Sequence, residues 1–148
     1  MTLTLSELRS LADAEGLKYF LDPREDALLL AFQGGSGSYH MLILLDVNGQ
    51  FLQFRTVEYV SVPPDHPHLL EALKLLVGMN FRVRMVKFAW NSDNGEVVAY
   101  ADVWLQDAKL TQEQFHRMLS NYLPVIDDLH MHLQEVLEGK APKGITEV

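Results

Sequence analysis

The chain has 148 residues, 48% hydrophobic and 22% charged, which fits one globular domain able to bury about 70% of its unfolded surface. Lys and Arg number 12 against 20 Asp and Glu, a net charge of −8, and without a basic cluster this disfavours nucleic acid and anionic membrane as partners. There is no cysteine, which removes disulfides, thiolate nucleophiles and Cys-ligated zinc.

MTLTLSELRS has neither a basic leader nor a long apolar core, so no signal peptide is expected. The longest apolar runs, such as Met41 to Leu45, fall far short of the ~20 residues of a membrane helix, and a cytoplasmic location is the expectation. Thr4 and Glu7 have capping-box spacing, and Leu5, Leu8, Leu11 and Ala12 repeat at helical spacing. Gly16 is placed to end this first helix. Leu17 to Pro23 reads as a short strand stopped at Asp22-Pro23, and Asp26 to Gln33 as a second, ended by Gly34, Gly35 and Gly37.

Two longer strands, YHMLILLDV and QFLQFRTVEYV, meet at Asn48-Gly49, a pair suited to a two-residue type I′ hairpin. That turn sets a register. Leu45–Leu52, Ile43–Phe54 and Met41–Thr56 fall on one face; Asp46–Phe51, Leu44–Gln53, Leu42–Arg55 and His40–Val57 fall on the other. Pro63 to Asn80 starts a second helix, with Asp65 as N-cap, Pro67 in its first turn, Gly78 at its close, and a stripe of Leu69, Leu70, Leu73, Leu76 and Val77. RVRMVKFAW and EVVAYADVWL form a second hairpin. A long helix from Thr111 to Leu137 follows, opened by a Thr111–Gln114 capping box, and Pro124 is expected to kink or split it. The elements run α-β-β-β-β-α-β-β-α. The prediction is an α+β domain with an antiparallel sheet of five to six strands and three helices, residues 1–138 forming one domain and 139–148 a mobile tail.

Few residues look chemical. Asn91 to Glu96 is rich in side-chain oxygens, but it is out of step with a calcium loop, has no closing glutamate and is flanked by strands. Turn chemistry accounts for every residue in it, and the register sorts Val86, Phe88, Trp90, Ala99, Ala101 and Val103 onto one face. The Gly34-Gly35-Ser36-Gly37 loop leads into a strand and lacks a Lys, so it reads as a strand connection and not a phosphate cradle. His66 and His68, and His130 and His132, are two apart, which is wrong for helical ligands. Together with Asp127 and Asp128 they read as solvated polar residues. No G-x-S-x-G elbow supports a serine triad. No catalytic residue, metal ligand or cofactor is assigned. Tyr100 and Trp104 share a face with Asp102, which Lys87 is expected to oppose.

The run N-F-R-V-x-x-V-K-F-x-W-N-S-D-N-G-E-V from Asn80 to Val97, L-T-Q-E-Q-F from Leu110 to Phe115, and the order of elements resemble the bacterial YbjN-like domain family, whose fold is similar to that of type III secretion chaperones. The resemblance covers about Leu3 to Leu137. It implies a small cytosolic protein, commonly dimeric, that acts by protein–protein contact as a regulator of signal transduction or a chaperone-like factor. The expected function is therefore a non-enzymatic binding module, homodimeric, that docks an apolar segment of a protein partner. Three helices can cover one sheet face but hardly two, and Leu42, Leu44, Phe51, Val57 and Tyr59, with Tyr100 and Trp104, are the candidate partner or dimer face. The alternative is a small-molecule sensor with its ligand between sheet and helices, near Trp90 and Trp104.

Overall fold

Both threonine capping boxes form. In the computed structural model, which describes residues 2–22 and 24–140, Thr4 Oγ1 accepts from the Glu7 amide at 3.1 Å and opens α1 (Leu5–Ala14). Thr111 Oγ1 accepts from the Gln114 amide at 3.1 Å and opens α3 (Gln112–Leu137). Between them lie β1 (Tyr19–Asp22), β2 (Ala27–Gln33), β3 (Ser38–Asp46), β4 (Phe51–Ser61), α2 (Leu69–Arg82), β5 (Lys87–Trp90) and β6 (Glu96–Trp104). The strands make one antiparallel sheet in the order β1-β2-β3-β4-β6-β5. This is the expected α+β architecture with the expected order of elements. Pro23 and residues 141–148, where a strand stop and most of the mobile tail were expected, lie outside the described residues.

The β3–β4 register is the one that Asn48-Gly49 implies, from Asp46↔Phe51 to His40↔Val57. Asn48 and Gly49 take φ of 54° and 80°, and the Gln50 amide donates to the Val47 carbonyl at 3.1 Å. The β5–β6 turn is wider, with Trp90↔Val97 and Phe88↔Ala99 as partners, and the faces are unchanged. Its oxygens serve their own backbone. Asn91 Oδ1 accepts from the Asp93 amide and Asn94 Oδ1 from the Glu96 amide, each at 2.9 Å.

One face of the sheet carries the core. Phe54 meets Phe115 and Tyr122 of α3 edge-on, at centroid distances of 5.9 and 5.5 Å, geometries worth about 0.5–1.5 kcal/mol each beyond area burial. The Tyr122 hydroxyl pairs with Thr56 Oγ1 at 2.6 Å and donates to the Ala99 carbonyl at 3.1 Å, so the buried Thr56 hydroxyl is satisfied. α1 and α2 pack beside α3.

Two expectations about α2 need correction. α2 starts after His68, not Asp65, because the His66 ring accepts from the His68 amide at 3.0 Å and holds 66–68 in a turn. It runs through Gly78 to Arg82, since burial of Met79 outweighs a mid-helix glycine penalty of about 1 kcal/mol. Of the two outcomes expected at Pro124, a split does not occur: Tyr122, Val125 and Ile126 are buried on either side of it, and packing carries α3 past the missing amide.

Replacing Tyr122 by Phe keeps the ring contacts but strands the buried Thr56 hydroxyl and Ala99 carbonyl. Urea unfolding is expected to show a loss of about 1–3 kcal/mol. An unchanged midpoint would remove this hydrogen-bond pair from the list of core anchors.

Candidate functional site

Among the described residues no element covers the sheet face opposite the helices. One row of side chains crosses all six strands on it: Phe20, Leu29, Leu42, Arg55, Tyr100 and Lys87 are successive register partners. Leu44 and Gln53 form the next row with Asp102, which accepts from Gln53 Nε2 at 2.8 Å. Phe51 and Trp104 pair at one end, their rings 4.9 Å apart. Leu42, Leu44, Phe51, Val57 and Tyr100 are half-buried; Phe20 is 79% and Trp104 60% exposed. A shallow depression of about 490 Å³ lies over Gln53, Arg55, Val98 and Tyr100. A solvent-facing surface that sets half-buried apolar side chains beside Arg55, Gln53 and Asp102 has the mixed character of an interaction surface.

Tyr59 is not on this face. Between Thr56↔Ala99 and Val60↔Val97, three residues of β4 oppose the single Val98, and Glu58 takes φ +51°. This bulge breaks the alternation locally. Tyr59 therefore turns to the helix side, buried, with its hydroxyl donating to the Ile126 carbonyl. Lys87 does not oppose Asp102 either. It stands across from Tyr100 and caps α2, donating to the carbonyls of Asn80 and Val83, each at 3.0 Å. Trp90 and Trp104 share no pocket between sheet and helices: Trp104 is on the open face, and Trp90 Nε1 donates to the Val62 carbonyl at 2.9 Å.

Sequence reasoning missed two features. Leu70 and Val77, assigned to the core stripe of α2, are exposed, and with Phe81, 91% exposed, they form a second, narrow apolar stripe. Ala72, Leu75, Leu76 and Met79 make the buried one. A helix this rich in leucine satisfies both registers, and only packing chooses between them.

The second feature joins the glycine loop to α3. The Asp127 carboxylate accepts from the Gly35 and Ser36 amides at 2.9 and 2.8 Å and from the Tyr39 hydroxyl at 2.7 Å. Ser36 Oγ lies 2.6 Å from His130 Nδ1, and the His130 ring sits edge-on to Tyr39. His132, too, is buried, with Nδ1 at 2.8 Å from the Asp128 carbonyl. The expected solvated histidines and aspartates are therefore partly structural. Gly34 is required for approach, since a Cβ there would stand 2.4 Å from Asp127 Oδ1. Burial pushes the Asp127 carboxyl up, but the bonds from Tyr39, Ser36 and Gly35, together with the His130 charge, bring it below its ordinary value. Burial holds His130 below its ordinary value against the pull of Asp127. Ser36, His130 and Asp127 are close but do not make a triad. The carboxylate holds the loop amides and orients no imidazole N–H, and the amides that would form an oxyanion hole are taken. Among the described residues no group of three His, Cys, Asp or Glu is arranged to hold a metal ion, and no helix is long and apolar enough to cross a membrane.

Residues 4–135 match the model of the YbjN family, described as "Putative bacterial sensory transduction regulator". No protein of curated function matches the sequence. Among solved structures the chain is similar to YbjN of E. coli, at 18% identity and a TM-score of 0.67, over 97% of this chain and 99% of that one. It is also similar to a chain of the ExsC–ExsE complex (20%, TM-score 0.52, 90% and 97% covered) and to one of the HopA1–SchA chaperone–effector complex (10%, 0.56, 82% and 88%). The fold is thus that of the type III secretion chaperones.

Asp127→Asn, made in a His130→Gln background to silence the neighbouring imidazole, tests the loop latch. At pH 7 the loss is expected to be about 1–2 kcal/mol, since the site is part-solvated. A carboxyl whose native pKa lies below 3.8 contributes fully above that value and loses its contribution as pH falls through the native pKa. The gap in unfolding free energy between the two proteins should therefore shrink below about pH 4; a gap independent of pH would show that the charge is irrelevant.

Proposed function

Since the chain belongs to the YbjN family, we propose that it is a non-enzymatic, cytoplasmic protein-binding module that regulates or chaperones a partner by holding an apolar segment of it on the open sheet face. The observation that carries this reading is the uncovered row across six strands, with Leu42, Leu44, Phe51, Val57, Tyr100 and Trp104 at or near the surface. The likeness to a chaperone bound to its effector supports it. Phe20, Leu29 and Leu42 run unbroken along one half of the row, a continuous apolar track for such a segment. Tyr59 takes no part in this face.

Self-association is assigned to the second apolar stripe instead. Leu70, Val77 and Phe81 lie within about 40° of one another around α2 at 100° per residue. Gly78 beside them meets nothing nearer than Arg82 Nη1 at 3.8 Å, leaving room for close approach of a second helix. Two copies of this stripe can pair antiparallel about a two-fold axis, the commonest symmetry of soluble oligomers.

Two sets of variants separate the surfaces. Leu44→Asp and Phe51→Asp are expected to keep the thermal midpoint within a few degrees yet weaken partner binding about thirtyfold, near 2 kcal/mol. Val77→Asp/Phe81→Asp should instead convert a micromolar dimer to monomer in sedimentation equilibrium while sparing partner capture. Full partner binding by the sheet variants would sink the first assignment, and a wild-type protein that sediments as a monomer would sink the second.

A further inference from the structure

A third surface carries the features of a ligand site. A trough of about 600 Å³ opens where the first half of α3 meets residues 84–86 and the end of β6. Met85, Val103, Leu110 and Met118 supply its apolar lining, and Arg84 and Arg117 border it. That volume lies in the range of small-molecule sites, and two methionines give a lining that adapts to the shape of an apolar body.

The charges are the telling part. Arg84 and Arg117 are both solvent-exposed and stand on two different elements at the border of the same apolar lining. The guanidinium groups of Arg84 and Arg117 have no hydrogen-bond or carboxylate partner among the described residues. An unpaired guanidinium beside an apolar surface is a ready bidentate receptor for a carboxylate. The backbone at the rim is also unusual. Met85 sits at φ +68°, a conformation residues with a Cβ rarely adopt. The segment is held there by Asn121 Nδ2, which donates to the Arg84 carbonyl at 3.0 Å. α3 thus fixes the position of one arginine and itself carries the other.

We propose that this trough binds a small amphiphilic carboxylate, its acid group between Arg84 and Arg117 and its hydrocarbon body over Met85, Val103, Leu110 and Met118. An apolar lining of only four side chains favours a small molecule over a chain segment, for which the sheet face offers a longer apolar row. The site is separate from that face and independent of the partner-binding reading.

The test is calorimetric titration of the full chain with decanoate, kept below its micelle concentration, against decyltrimethylammonium, which carries a tail of the same length. Decanoate is expected to bind saturably at one site, and the ammonium at least tenfold more weakly. Arg84→Gln/Arg117→Gln should weaken decanoate at least tenfold while the thermal midpoint of the ligand-free protein and its partner capture stay unchanged. Equal binding of both head groups, binding that never saturates, or full decanoate affinity in the double variant would each overturn the assignment. So would an acidic, apolar peptide that requires the same arginines when decanoate does not bind, since the trough would then belong to a protein segment.

Discussion

The seating of α3 on the middle strands, through Phe54, Phe115, Tyr122 and Thr56, constrains every other surface of this protein. A 26-residue helix laid over β4 and β6 occupies the centre of one sheet face. α1 and α2 can then only pack beside it on the same side. Among the described residues none of the three helices is left to cover the opposite face of the six strands. The apolar row there follows from helix placement as much as from the leucines that form it.

The same helix organises the polar features. Its Asp127 gathers the glycine loop between β2 and β3, and its Asn121 holds residues 84–86 in place before β5. The bulge at Glu58 belongs to this set as well. By turning Tyr59 inward it gives β4 a hydroxyl that reaches the Ile126 carbonyl, next to the ring of His130. Loop, strand and helix are joined at one point, and the histidine there is a packing element whose charge is suppressed by burial. A Ser–His contact in such a place has a structural account that needs no substrate.

The open sheet face and the exposed stripe of α2 are two apolar surfaces with no side chain in common. A flat sheet face accepts an extended segment because its pockets repeat every second residue. A narrow helical stripe accepts another helix because its contacts repeat every three to four. Mutations on one are expected to leave the other intact, since no side chain belongs to both.

Much of this was readable from local chemistry. Asn48-Gly49 dictates a turn, the turn dictates the register, and Leu42, Leu44 and Phe51 followed onto the open face with their partners correctly named. Both capping boxes and the order of elements were legible for the same reason: each depends on residues a few positions apart. Tyr59 was not, because it lies in the bulge around Glu58, which breaks the alternation and which no residue type announces. Leu70 and Val77 were not, because two overlapping stripes fit the same helix. Asp127 lies about ninety residues from the amides it holds, and its place looked solvated when read from α3 alone. The sequence by itself determined the elements, their turns and the pairing of neighbouring strands, since these are short-range consequences of backbone geometry. Which side chains ended up in the core, in a latch or on a bare surface was decided only when α3 docked, because burial depends on what packs above a residue and not on what precedes it in the chain.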